Sequence, residues 1–128
     1  MKRWMVGLFV CFLALVSATA FAADSVRIAI ASEGKTLDSQ VSPIAARSPY
    51  FLLFDAQGKL AETTENPHRD ASGGAGPRVA DVLSRKGVTT VVAGAFGPNM
   101  INAMRAKKLT PVEFKGKVTE ALKEALKK

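Results

Sequence analysis

The stretch VTTVVAGAFGPNM, residues 88–100, decides how the second half of the chain is read. VTTVVAGAF, residues 88–96, is a short apolar run with five β-branched residues, the pattern of a buried strand. Gly94 and Gly97 then loosen the backbone. Pro98 suits the first position of a helix, where its missing N–H costs nothing. The helix it opens, PNMINAMRAKK at 98–108, points Ile101 and Met104 inward. A buried strand leading directly into a helix is the unit from which parallel sheets are built.

The same grammar extends outward. Upstream, SGGAGPRVADVL at residues 72–83 is glycine-rich, and Pro77 is placed as the first residue of a helix that buries Val79, Val82 and Leu83. That helix stops near Gly87, after Arg85 and Lys86. Downstream, LTPVEF at 109–114 reads as a short strand, and Pro111 argues for an edge or a strand start. VTEALKEALKK at 118–128 sets Val118, Ala121, Leu122, Ala125 and Leu126 on one helical face. The first half has a different rhythm. SVRIAIAS at 25–32 alternates as a strand, YFLLFD at 50–55 is a continuous apolar central strand, and LAETTEN at 60–66 completes a hairpin across the turn at Gly58. Between the first two strands, residues 33–49 form a long polar loop with two prolines, and loops of that length often carry function. The order β-β-β-α-β-α-β-α predicts an α/β domain, a mixed sheet of about five strands flanked by three helices.

The N-terminus has a separate logic. MKRW is basic, MVGLFVCFLALVSATA is apolar, and AFAAD supplies small residues around Phe21, so residues 1–22 read as a secretory signal peptide cleaved after Ala22. The apolar run is short for a membrane anchor, which needs about 20 residues. Residues 23–128 then form one domain in the periplasm or outside the cell, with no membrane attachment after cleavage. Cys11, the sole cysteine of the 128 residues, leaves with the leader. The mature chain therefore has no thiolate for a disulfide, a zinc finger or a cysteine nucleophile. It keeps 16 basic against 11 acidic residues, a net charge of +5. That surplus favours an anionic partner. Its lysines cluster without interleaved aromatic residues, so nucleic acid is not the expected one.

Both glycine loops stand where a helix begins. Such a point exposes unpaired N–H groups and about half a positive charge, and glycine lets a ligand reach the backbone. Neither loop has the spacing of a dinucleotide or phosphate-loop fingerprint. Pattern alone leaves open whether Gly73, Gly74, Gly76, Gly94 and Gly97 make tight turns or an anion cradle.

RIAIASEG, SPIAARSPYFLLFD, GGAG, GVTTVVAGAFGPNM and the closing amphipathic helix occur in an order that resembles the dinitrogenase iron–molybdenum cofactor biosynthesis family, of the NifX and NifB C-terminal type. The resemblance covers nearly all of residues 25–128. It implies a ribonuclease-H-like motif and a non-enzymatic protein that binds or carries an anionic metal–sulfur cluster of molybdenum, iron or copper, or a metal oxyanion. One relative holds a molybdenum–copper sulfide cluster. A protein that receives the cluster is an implied partner. The family's first loop commonly reads S-P-R-F-G-R-A-P-Y-F. Here Ser42, Pro43, Arg47, Pro49, Tyr50 and Phe51 match, while Ile44, Ala45 and Ala46 replace a charge, an aromatic ring and a glycine. Gly73, Gly74, Ala75, Gly76, Gly94, Phe96, Gly97 and Asn99 match the two glycine loops. With Arg47 as a fixed positive charge, these are the expected cofactor-binding residues.

Two further residues invite a metal role. His68, the sole histidine, is either an axial metal ligand or an ordinary loop histidine. Met100, beside the second glycine loop, offers a soft contact for copper or cluster sulfur; Met104 is assigned to the core. The alternative functions are an interaction or sensory module with no metal, a monomer or a weak dimer paired through residues 60–66, and a metal-dependent hydrolase or nuclease. The last needs several carboxylates around shared metal ions, and the sequence offers no evident cluster of them. Nitrogenase cofactor assembly is cytoplasmic, so an exported copy is not expected to serve nitrogenase directly.

Overall fold

A computed structural model describes residues 26–127; the expected leader, residues 1–22, lies outside them. The strands are β1 Val26–Ser32, β2 Tyr50–Asp55, β3 Leu60–Glu65, β4 Thr90–Ala93 and β5 Thr110–Glu113. Among the described residues, the helices are α1 Ala75–Arg85, α2 Pro98–Ala106 and α3 Val118–Leu126, and a 3-10 turn spans Ala45–Arg47. The five strands form one sheet in the order β3-β2-β1-β4-β5. β1 pairs antiparallel with β2, and β2 with β3; β1 pairs parallel with β4, and β4 with β5. The predicted mixed α/β fold is thus present. The hairpin half and the alternating half share β1 as the central strand.

The pleat of β1 explains the layering. Successive side chains point to opposite faces, so Ala29 and Ala31 face one way and Ile28 and Ile30 the other. On the alanine face, Phe51, Leu53, Val91 and Ala93 pack against Val79, Ala80 and Leu83 of α1 and Met100 and Met104 of α2. On the isoleucine face, Leu52, Phe54, Val92 and Val112 pack against Val118, Ala121 and Ala125 of α3. YFLLFD is continuous in hydrophobicity because β2 is covered on both sides. Burying each of its Leu and Phe side chains contributes about 1.5–3 kcal/mol. Among the described residues, no helix is long and apolar enough to cross a membrane.

Several expectations need correction. α1 begins at Ala75, two residues before Pro77. Gly74 adopts φ 72°, and buried Ala75 anchors the first turn to the core. Pro77 fits at the third position because the first turn's N–H groups have no intrahelical acceptor. In α2, Met100 and Met104 form the inward i, i+4 pair and are 1% and 0% exposed, whereas Ile101 is only half-buried. Val82 and Leu122 are likewise half-buried, and Leu126 is exposed.

The long loop returns over the C-terminal ends of the parallel pair. Ser42 N–H donates to Ala31 O at 2.8 Å, Gly94 N–H to Ser42 O at 2.8 Å, and Ala45 N–H to Ala95 O at 3.0 Å. Gly94 makes this crossing possible, since a Cβ there would lie 2.8 Å from Pro43 Cα and 2.9 Å from Pro43 O. Neither backbone atom can give way without displacing the loop. Gly94→Ala is therefore expected to destabilise the fold by about 1–3 kcal/mol through overpacking, read as a lower denaturant midpoint with an unchanged slope.

Candidate anion-binding cleft

The site is built from two helix starts and one turn. Gly74, in the left-handed region, turns the chain into α1; Gly97, at φ −72° and ψ 160°, precedes Pro98 at the start of α2. The two starts lie side by side because Gly76 has no side chain. A Cβ there would fall 2.8 Å from Met100 Cβ and 3.2 Å from Met100 N. The first intrahelical bonds are Arg78 N–H to Gly74 O at 3.3 Å and Ile101 N–H to Gly97 O at 2.9 Å. The N–H groups of Ala75, Gly76, Asn99 and Met100 precede those ladders, so four residues with backbone donors that lack intrahelical acceptors stand at two positive helix ends.

Neither helix caps itself. α1 and α2 have no side-chain cap and no acidic residue in the first turn. α3 does the opposite: Glu120, in its first turn, accepts the Lys117 N–H at 3.3 Å. An anion bound between α1 and α2 would supply the compensation that Glu120 supplies for α3.

The space between these starts is an open cleft of about 200 Å³. Residues 74–77 and 97–100 line two sides, and Ile44, Ala46 and Arg47 form the third. Arg47 is exposed, and its Nη1 donates to Arg69 O at 2.9 Å and to Ala71 O. Its other guanidinium nitrogens have no acceptor among the described residues. Met100 reaches the cleft from a nearly buried position.

The structure thus gathers Arg47, Gly74, Ala75, Gly76, Gly97, Asn99 and Met100 around one space. Four other candidates stand apart from the cleft lining. Gly73 is exposed with open space around it, Gly94 lies beneath Pro43, and Phe96 is half-buried against the core. His68 is half-buried in a neighbouring groove with Phe51, Val79 and Leu83, its N–H bonded to Asn66 Oδ1 at 2.9 Å. Pro77, Pro98, Ile44 and Ala46 were missed as lining residues. The two prolines carried a signal, because they stand inside the helix starts already singled out. Ile44, 49% exposed, gives the cleft an apolar rim.

Among the described residues, no three His, Cys, Asp or Glu side chains are grouped to hold a metal ion. Asp55, which ends β2, is used by its turn: Oδ1 accepts the N–H groups of Gln57 and Lys59, both at 2.9 Å. It pairs with Val26 at the start of β1, the end of that strand away from the cleft.

A sequence model described as dinitrogenase iron-molybdenum cofactor matches residues 25–128. The chain belongs to that family. A search of curated proteins returned no match. Among solved structures, the apo orange protein of Desulfovibrio gigas is similar at 32% identity and TM-score 0.74, over 79% of this chain and 87% of that one. A Thermotoga structure described as a NifB protein is similar at 36% identity and TM-score 0.69, over 80% and 88% of the two chains. A Methanocaldococcus jannaschii structure described as a dinitrogenase shares the fold at 13% identity and TM-score 0.55, over 80% and 89%. Family and relatives support a cofactor-binding or carrier role.

Gly97 separates folding from binding. Its φ is one any residue adopts, and an added Cβ would have nothing within 4 Å. The fold does not require glycine there, yet the position lines the cleft. Gly97→Ala is expected to change stability by no more than about 1 kcal/mol, because the entropy gain in the unfolded chain opposes the loss of a better N-cap residue. Any binding of tetrathiomolybdate, read in an absorbance titration, is expected to weaken.

Proposed function

We propose that this chain is a non-enzymatic binding or carrier protein for an anionic metal–sulfur cluster of molybdenum, iron or copper, or for a metal oxyanion. The observation that carries this reading is the pair of adjacent helix starts, both uncapped and both without a carboxylate. The lining offers no Cys, His, Asp or Glu. A cargo held there brings its own sulfide or oxide shell, and those atoms accept hydrogen bonds from the four backbone N–H groups. Arg47 adds a permanent positive charge with forked donors. Met100 presents the lining's one soft side chain, suited to copper or to cluster sulfur. Ile44 and Ala46 exclude water from one side. His68, outside the cleft, has no part in this reading, and no catalytic residue is assigned. The cleft is open, as a carrier that must pass its cargo to a receiving protein requires. The strand order β3-β2-β1-β4-β5, antiparallel on one side of β1 and parallel on the other, supports naming the fold ribonuclease-H-like.

Anaerobic incubation of the purified protein with tetrathiomolybdate, with and without Cu(I), followed by desalting, absorbance and metal analysis, tests the reading. Near-stoichiometric retention is expected, with affinity reduced about ten-fold or more in Arg47→Ala, the usual scale for a hydrogen bond to a charged group. Retention no better than an unrelated basic protein of equal charge would sink the proposal.

We further propose that residues 1–22 direct export and that the protein works in the periplasm or outside the cell. The basic start, apolar run and small residues before Ala23 support this. Mass spectrometry of the protein recovered from its native envelope fraction is expected to find Ala23 as the first residue. An intact chain starting at Met1 in the cytoplasmic fraction would refute it.

A further inference from the structure

We infer that Asn66, which does not line the cleft, is a positioning residue that fixes the cleft wall, with Arg47 as its outer counterpart; the inference rests on the binding role proposed above. The wall formed by the Ala45–Arg47 turn belongs to the long loop between β1 and β2. The opposite wall belongs to α1, which is reached through residues 66–74. These two segments are about twenty residues apart in sequence, and three side-chain hydrogen bonds fasten them together. Asn66 Nδ2 donates to Ala46 O at 2.9 Å, and Arg47 Nη1 donates to Arg69 O at 2.9 Å and to Ala71 O. The acceptor Ala46 and the donor Arg47 both line the cleft.

Asn66 is 4% exposed, and every polar group it has is used. Its N–H donates to Pro49 O at 3.0 Å, its carbonyl accepts the Arg69 N–H at 3.4 Å, and its Oδ1 accepts the His68 N–H at 2.9 Å. The side chain therefore folds its own loop through Oδ1 and grips the far wall through Nδ2. A buried amide satisfied on both ends allows one arrangement of the segments it joins. Arg47 repeats the grip at the surface, and the nitrogens it does not use there remain for cargo. An anion that engages them holds the wall and the 66–74 segment together.

Asn66→Asp isolates this role. The carboxylate keeps an acceptor for the His68 N–H, but it sets an oxygen against Ala46 O where a donor stood. In the cargo-free protein, hydrogen exchange across residues 45–47 and 69–76 is expected to quicken about ten-fold, the scale of one lost buried hydrogen bond. Exchange in β1 and β4 should stay as in the wild type. Tetrathiomolybdate affinity should fall by a similar factor, although Asn66 does not line the cleft. Arg47→Gln, at an exposed position, removes the outer grip without disturbing the core, and it should quicken exchange at residues 69–76. Unchanged exchange at these segments in both variants would overturn the inference. So would quickening spread evenly over β1 and β4 in Asn66→Asp with no local change in Arg47→Gln. If wild-type protein retains no tetrathiomolybdate, the binding role fails, while the cargo-free exchange still decides whether Asn66 fixes the wall.

Discussion

The close approach of Gly76 to Met100 is the contact on which the site depends. Two helices that follow different strands can bring their first turns together only if one presents bare backbone. Any Cβ on residue 76 would meet Met100 at 2.8 Å and drive α1 away from α2. The small alanine face of the sheet works in the same direction, because Ala29, Ala31 and Ala93 let both helices ride close to the strands. The result is one concave edge with two positive ends, in place of two separate helix starts. Gly94 performs the matching task one layer away, admitting Pro43 and so bringing the Arg47 turn across the strand ends.

Much of the fold was legible in the chain, for a physical reason. Alternation in VRIAIAS, the unbroken run YFLLFD and the i, i+3, i+4 spacing of the last helix are direct imprints of pleat, two-sided burial and helical period. The order of elements followed from them. What did not follow was where α1 starts. That was settled by Gly74 taking a left-handed conformation and by Ala75 reaching the core, and neither is visible when glycines stand in a row and a proline stands nearby. Ile101 was misplaced for a related reason: the branched residue looked the better core candidate, but the tertiary contact with Gly76 put Met100 inside.

The candidate site was legible in part. The glycine loops flagged residues 74–76 and 97–99 because helix starts are recognisable locally. Their meeting, and the sorting of the glycines into distinct duties, required the third dimension. Gly94 and Gly76 are packing glycines, Gly74 is conformational, and Gly97 is required by neither packing nor φ. Asn66 passed unnoticed, since a lone Asn beside Pro67 reads as an ordinary turn residue. His68 drew attention by being the sole histidine, while the grooves it lines lie outside the cleft.

The uncapped helix starts have a consequence for how such a site responds to its surroundings. Backbone N–H groups do not titrate, an arginine stays protonated throughout the biological range, and a thioether carries no proton to lose. The cleft lining contains no group that changes charge between mildly acidic and mildly alkaline conditions. The lining side chains therefore keep the same charge across that range. If the proposed binding role holds, a dependence of occupancy on acidity must arise outside the lining, in the guest or in the rest of the chain.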